Sequence, residues 1–338
     1  IFILAGVDEI IMLLEDHQAT LQTMLASRFV FGVRNRVEGW EKKLAHLSES
    51  LDEWLTLQRS WMYLEPIFGA PDIQKQLPQE TVDFLRVDQN WKDIMRKTRK
   101  RPNAIEAACT SGLLDTFLEA NRCLERIQKS LEDYLETKRM GFPRFYFLSN
   151  DELLEILSQS RDPCAIQPHL RKCFDAMASV EFEEGSPSAE GAEATTMIVA
   201  MKSPENERVP FASKVPTAPK SVEFWMCDLE DMMRRSLLDV TVEARVAYSE
   251  DNRSDWFFQF AAAAITTIDQ EMWTNRAEDE IDSIQVGRNE DGLNDFLAFS
   301  IEQINHMVVV IRKDLDNVQR SVMANLIVLD VHARDVVK

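Results

Sequence analysis

Residues 33–61, VRNRVEGWEKKLAHLSESLDEWLTLQRSW, decide the fold class. Apolar side chains fall at Val33, Val37, Trp40, Leu44, Leu47, Leu51 and Trp54, and the series passes through polar Gln58 to Trp61 in steps of four and three. That alternation keeps one stripe on one face of an α-helix, because 3.6 residues complete a turn. At a rise of 1.5 Å per residue such a helix is about 43 Å long.

The same period recurs on both sides. Leu113 to Met140 carries Phe117, Ala120, Leu124, Ile127, Leu131 and Tyr134 on one stripe, with Glu125, Arg126, Lys129 and Glu132 opposite. Gly141 as a left-handed residue past the helix end, followed by Pro143, reads as its stop. Ser149 and Glu152 form the pattern of a capping box opening a helix over Asp151 to Ser158. Shorter helices are expected over Val7 to Met24, Thr81 to Arg99 and His169 to Met177, and longer ones over Phe224 to Ala247 and Trp256 to Glu278. A further long stripe runs Leu297, Ile301, Ile304, Val308, Ile311, Leu315, Val318, Val322. Tryptophan at seam positions is too bulky for a regular two-stranded coiled coil, so the stripes are read as packing on one another. The expected fold is mainly α: an elongated stack of long helices with one small β-hairpin insertion.

That insertion lies in residues 183–220, which hold Gly185, Gly191 and five of the twelve prolines. Thr195 to Met201 is apolar and β-branched, Ser203-Pro204-Glu205-Asn206 is a turn, and Arg208 to Phe211 can return alongside. A lone hairpin is marginal in water, so it is expected to lean on a helix or await a partner. The chain thus divides into an N-terminal helical part (1–182), the Pro-rich hairpin segment (183–220) and a C-terminal helical part (221–338).

Charge and composition exclude several roles. The 338 residues hold 57 Asp and Glu against 38 Lys and Arg, a net charge of −19, which argues against nucleic acid or an anionic membrane surface as a partner. The longest apolar runs, such as Met307 to Ile311, fall far short of the roughly 20 residues that a bilayer requires. Ile1 to Val7 is too short for a signal peptide, and the start at Ile1 and the stop on Val336, Val337 and Lys338 read as an excised piece of a longer chain. Five scattered cysteines, Cys109, Cys123, Cys164, Cys173 and Cys227, suit free thiols in a reducing compartment, and the sequon at Asn252-Arg253-Ser254 is then fortuitous.

No catalytic constellation emerges. The nearest approach to a phosphate-binding loop is Gly287-x-x-x-x-Gly292, followed by Leu293 and Asn294 where Lys and Ser or Thr are needed, and Glu290 and Asp291 within it would repel phosphate. Cys164, His169 and Cys173 have spacings that a soft metal can use, but a structural zinc site needs four ligands and no fourth is near. His17, His46, His306 and His332 sit singly on helical patterns. One basic patch stands out in the acidic chain: Lys92, Arg96, Lys97, Arg99, Lys100 and Arg101. It reads either as a solvated helix C-terminus complementing the macrodipole or as a dock for an acidic protein surface.

Several clusters taken together resemble the linker region of dynein heavy chains: Trp61-Met62-Tyr63-Leu64-Glu65-Pro66-Ile67-Phe68, then Gln76-Leu77-Pro78, Val87-Asp88 and Trp91; Phe142-Pro143-Arg144-Phe145-Tyr146-Phe147-Leu148 running into Ser149-Asn150-Asp151-Glu152-Leu153-Leu154; and Pro168-His169-Leu170-Arg171-Lys172-Cys173-Phe174-Asp175. Asp330-Val331-His332-Ala333-Arg334-Asp335 is similar to the segment leading into the first AAA+ module, and Leu13-Leu14-Glu15-Asp16-His17 is closer to axonemal than to cytoplasmic heavy chains. The resemblance runs from about Val7 to the C-terminus.

It implies a mechanical linker that bends and straightens over the AAA+ ring of the same heavy chain and moves cargo along microtubules. It also implies a ciliary or flagellar axoneme location, contact with the dynein tail and its associated chains, only indirect contact with microtubules, and no nucleic acid or membrane partner. The fragment would hold no catalytic residue, cofactor or metal, with ATP and Mg in downstream modules. The hairpin falls where family linkers carry a β insertion that meets the ring, which makes Met197, Val199, Met201, Arg208 and Phe211 candidate contact residues. The residues alone leave a static helical adaptor for protein partners as the alternative. They also single out Gly141, Phe142, Pro143, Phe145, Tyr146 and Phe147, where glycine and proline break the helix and the aromatics can form either a two-position joint or a rigid corner.

Overall fold

The computed structural model describes residues 2–159, 162–184, 196–249 and 253–338. Among them are thirteen α-helices, three 3-10 turns and one small antiparallel sheet. They form two compact units: Ile1–Met140 with Ser149–Arg161, and Gly141–Leu148 with Asp162–Lys338.

The first unit is built on the stripe that opens the sequence. Helix α1 (Asp8–Ala26) precedes α2 (Arg34–Gly69), a single 36-residue helix that continues past Trp61 and through Pro66. Then follow α3 (Pro71–Gln76), α4 (Pro78–Lys100), α5 (Ala104–Ala108), α6 (Leu113–Gly141) and α7 (Asn150–Ser158). Three aromatic residues of α2 each meet an aromatic partner: Trp54 with Phe117 (5.0 Å between centroids), Trp61 stacked on Trp91 (5.3 Å) and Phe68 stacked on Phe84 (5.2 Å). The Trp61 indole N–H donates to the buried Asp88 carboxylate (3.1 Å), whose other oxygen takes Lys92 (2.7 Å). The stripe fails at its start, however: Val33 and Trp40 are exposed, Trp40 by 46%, and burial begins with Val37.

The second unit starts with the 3-10 turn Pro143–Phe147 and resumes with a second, Pro163–His169, which leads into α8 (Leu170–Cys173). The helix expected over His169 to Met177 is thus one turn long, because Phe174 is already extended on the way to a strand that periodicity did not reveal. Strand β1 (Ser179–Glu184) pairs with β2 (Thr196–Lys202), and β2 with β3 (Arg208–Pro216), all antiparallel in the order β1-β2-β3. Ser179 faces Lys202, and Lys202 faces Arg208. The expected β2–β3 hairpin is present, closed through Asn206 in the left-handed region. Thr195, Gly185, Pro187, Gly191 and Asn252 lie outside the described residues.

Beyond the sheet stand α9 (Val222–Ala247), the short α10 (Arg253–Trp256), α11 (Ala262–Gln285), α12 (Gly292–Ile311) and α13 (Asn317–Val337). Two expected helices are therefore divided. The stripe from Leu297 to Val322 spans α12 and α13, and the break is fixed by Asp316, whose side chain accepts from the Gln319 N–H while Gln319 reaches back to the Asp316 N–H. The stripe survives the break because Ile304, Ile311, Leu315 and Val318 all border one core, that of Trp256, Phe257, Ile265, Met307 and Met323.

Arg253 ties this helical group together. Its buried guanidinium bonds Asp269 of α11 and Asp330 of α13 (3.0 Å) and touches Gln303 of α12 (3.5 Å). Two carboxylates share one cation here, and burial pushes the Asp269 carboxyl up to about 6 against the pull of Arg253. The folded state then binds a proton that the unfolded chain has released, so this group stabilises the fold fully below about pH 4 and its contribution is lost as pH rises through 6. Wild-type stability relative to Asp269→Asn, followed by urea titration, is expected to fall across that window, and a flat difference would contradict it.

Candidate functional site

The corner at 141–148 is built differently from its reading in the sequence. Gly141 is the last residue of α6 and is not among the glycines with positive φ, so it is not a left-handed cap. Its lack of a side chain serves close packing: a Cβ there would stand 3.1 Å from Cγ of the buried Glu223 on α9. The Gly141 carbonyl accepts from the Cys227 thiol (3.3 Å). Pro143 then opens the 3-10 turn, where its missing N–H costs nothing.

The aromatics divide into two groups. Phe142 and Phe145 are fully buried and meet edge to face at 5.0 Å, and Phe142 lies 6.3 Å from Phe174. Tyr146 and Phe147 are 54% and 68% exposed, so they do not fill the corner. Arg144, which the sequence reading passed over, holds the corner instead. Its Nε and Nη2 donate to the two carboxylate oxygens of Glu230 on α9 (3.1 and 3.2 Å), Nη1 donates to the Cys173 carbonyl (2.9 Å), and the guanidinium lies over the Phe174 ring (4.7 Å). These bonds, with a further one from Arg234, hold the Glu230 carboxyl below the usual carboxylate range despite partial burial. The available signal was a cation interrupting an aromatic run, a position that demands a partner once the run is buried.

The sheet places the other candidates. Met201 is buried, Met197, Val199 and Phe211 are half-buried, and Arg208 is exposed. Arg208 and Lys202 share Glu181 (2.8 Å each), and Lys214 pairs with Glu183 (2.8 Å). The sheet leans on a helix, one of the two expected outcomes: the Ala212 N–H donates to Ser236 Oγ of α9 (3.0 Å). Beyond it, Glu207 accepts from the Ala262 N–H at the start of α11 (2.8 Å). Gln167 pairs with both the N–H and the carbonyl of Val180, which blunts the free edge of β1.

The remaining chemical candidates are separated. Cys164 is exposed while His169 and Cys173 are buried, and among the described residues no group of three or more His, Cys, Asp or Glu side chains could hold a metal ion. Gly287 follows the end of α11 with positive φ and Gly292 begins α12, with the Glu280 carboxylate 2.8 Å from where a Gly292 Cβ would be. No helix among the described residues is long and apolar enough to cross a membrane.

These features define a mainly helical protein of two compact units, with a pinned corner and an anchored three-stranded sheet in the second. Its sequence matches the family model for dynein heavy chain, N-terminal region 2, over residues 1–244. It is 43% identical to dynein axonemal heavy chain 6 of Homo sapiens over 347 aligned residues, covering 100% of this chain and 8% of that protein. It is 41% identical to dynein axonemal heavy chain 12 of Rattus norvegicus (100% of this chain, 10% of the relative) and 40% identical to dynein axonemal heavy chain 3 of Homo sapiens (99% and 8%). The chain belongs to the dynein heavy chain family. It spans a tenth or less of the length of these relatives.

The Arg144 arrangement has a measurable consequence. Hydrogen bonds to charged groups contribute about 1.5–3 kcal/mol each when partly shielded, so Arg144→Met is expected to lower the stability of the second unit by about 1–3 kcal/mol. A double-mutant cycle with Glu230→Gln in urea is expected to give a coupling above about 0.5 kcal/mol. Additive effects would mean that the pair does not hold the corner.

Proposed function

We propose that this chain is the force-transmitting linker of an axonemal dynein heavy chain, bending and straightening over the AAA+ ring of the same polypeptide as ATP is turned over in downstream modules. Membership in the heavy chain family and the axonemal names of the relatives support this reading. It assigns the protein to a cilium or flagellum, with the ring and the dynein tail as partners and the microtubule reached only indirectly. ATP and Mg belong to the downstream modules, and this segment takes no catalytic part.

The observation that carries the mechanical reading is the division of the chain into two compact units, assigned so that the backbone leaves the first after Met140, returns at Ser149 and leaves again after Arg161. Stiff blocks joined by a few backbone connections can change angle without losing their cores, which is what hinge motion requires. Residues 141–148 are proposed to move with the second unit, since Phe142, Phe145 and Arg144 are all engaged there. Bending is then left to the connections at its ends. The sheet offers exposed Arg208 and half-buried Met197, Val199 and Phe211 for ring contact, with Met201 serving as support from the core.

The test places donor and acceptor dyes at exposed Lys129 and Asp175, one in each unit, within the intact motor. Their separation is expected to differ between ATP-bound and nucleotide-free states. A fixed separation while the linker as a whole swings would locate the bend elsewhere.

A further inference from the structure

The basic cluster around the end of α4 separates into two sets. Lys92 pairs with Asp88 (2.7 Å), Arg96 pairs with Asp93 (2.6 Å), and Arg99 lies over the Phe2 ring (4.2 Å). Lys97, Lys100 and Arg101 are exposed and have no ion pair among the described residues, and these are the three that border a cavity of about 380 Å³. Its apolar surface comes from half-buried Ile94, Ala107 and Leu113, and Glu106 stands on the same wall as Ala107. Thr98 and Ala107 are shared with a neighbouring cavity of about 230 Å³, whose wall includes Leu4, Ile10, Leu51 and Trp54.

The macrodipole accounts for cations in the last turn of α4 but not for this arrangement. It is worth about 0.3–1 kcal/mol per charge and needs no concave surface. Three like charges within five residues repel one another, yet in a chain with a net charge of −19 none of them has an ion pair among the described residues, and Glu106 is the one carboxylate on the cavity wall. Positive potential is thereby focused on a concavity whose floor is apolar. A small inorganic anion would leave that floor and the second cavity unused, and an anionic bilayer or nucleic acid would bring its charge against the acidic surface beyond the patch.

We propose that the paired cavities are a docking site for an acidic peptide segment of a partner protein, with its carboxylates over Lys97, Lys100 and Arg101 and one apolar side chain in the 230 Å³ cavity. Glu106 orients it, since like charge there turns the acidic residues toward α4. The proposal is independent of the linker reading, because it requires no nucleotide-driven motion.

The probe is a fluorescein-labelled synthetic peptide of about twelve residues, Glu and Ser with one central Phe, titrated against the full chain by fluorescence anisotropy. Binding is expected to weaken about tenfold between low and high salt, because exposed charges are screened over about 10 Å or less. The triple variant Lys97→Glu, Lys100→Glu, Arg101→Glu is expected to lose about tenfold or more, against little change for the equal charge reversal Arg122→Glu, Arg126→Glu, Lys129→Glu on α6. Ala107→Trp is expected to weaken the Phe peptide alone, leaving a Phe-free version at its own lower affinity. Circular dichroism checks that each variant folds, and Lys97→Gln, Lys100→Gln, Arg101→Gln substitutes for the reversal should that variant unfold. Equal affinity for the Phe-free peptide, equal loss in the α6 variant, or displacement by inorganic phosphate or phosphatidylserine vesicles as effective as by unlabelled peptide would overturn the proposal.

Discussion

The spacing of Trp54, Trp61 and Phe68 is the constraint on which the first unit depends. Seven residues are close to two turns, so these three rings return to one face of α2 at intervals of about 10 Å. Trp91 and Phe84, also seven apart, meet Trp61 and Phe68 in reverse order, which fixes α4 as antiparallel to α2 in a single register, while Phe117 brings α6 against Trp54. Aromatic pairs at 5 Å add to the burial of large rings, and a slip of α4 by one turn would remove both of its contacts with α2 together. Polar ties reinforce the register: Trp61 to Asp88, and the Asn121 amide to both the carbonyl and the carboxylate of Glu53.

The second unit uses charge where the first uses rings. Arg144 joins the corner to α9 and to the carbonyl of Cys173, and Arg253 joins α10, α11, α12 and α13 through Asp269, Gln303 and Asp330. Guanidinium groups held fully (Arg253) or partly (Arg144) out of water contribute little net stability over apolar packing, but their fixed fork accepts few alternative arrangements. They specify which helices meet. The carboxylate of Glu207 at the N-terminus of α11 has the same character, fastening the β2–β3 turn to a helix whose N-cap residue, Ala261, has no hydrogen-bonding side chain to offer.

Much of this was legible in the sequence, and the failures have physical reasons. The long helices α2, α6 and α9 declare themselves because each buries one stripe and solvates the other face. The Ser149 cap was legible because a capping box is local, with both of its reciprocal bonds within four residues. Periodicity missed the break at Asp316 because α12 and α13 feed the same core from both sides of the turn, although Asp316 and Gln319 carried a cap signal of the same kind. Strand β1 was missed because its outward residues Glu181 and Glu183 look like a solvated acidic run, when in fact they pair with Lys202, Arg208 and Lys214 across the sheet. At the corner, the aromatic composition pointed to the right place, but it did not distinguish buried Phe142 and Phe145 from exposed Tyr146 and Phe147, and it did not expose the role of Arg144, whose partners are distant in sequence.

Residues 141–148 pack as part of the second unit, which requires that they not behave as a flexible connector. Native-state hydrogen exchange of the full chain tests it most directly, read at the Phe145 and Leu148 amides, which donate to the carbonyls of Phe142 and Phe145 (3.0 and 3.1 Å). If the corner is fixed, these amides open with the same free energy as the central amides of α9 and share their response to denaturant. Exchange at the rate of an unprotected loop, with α9 still fully protected, would contradict the account.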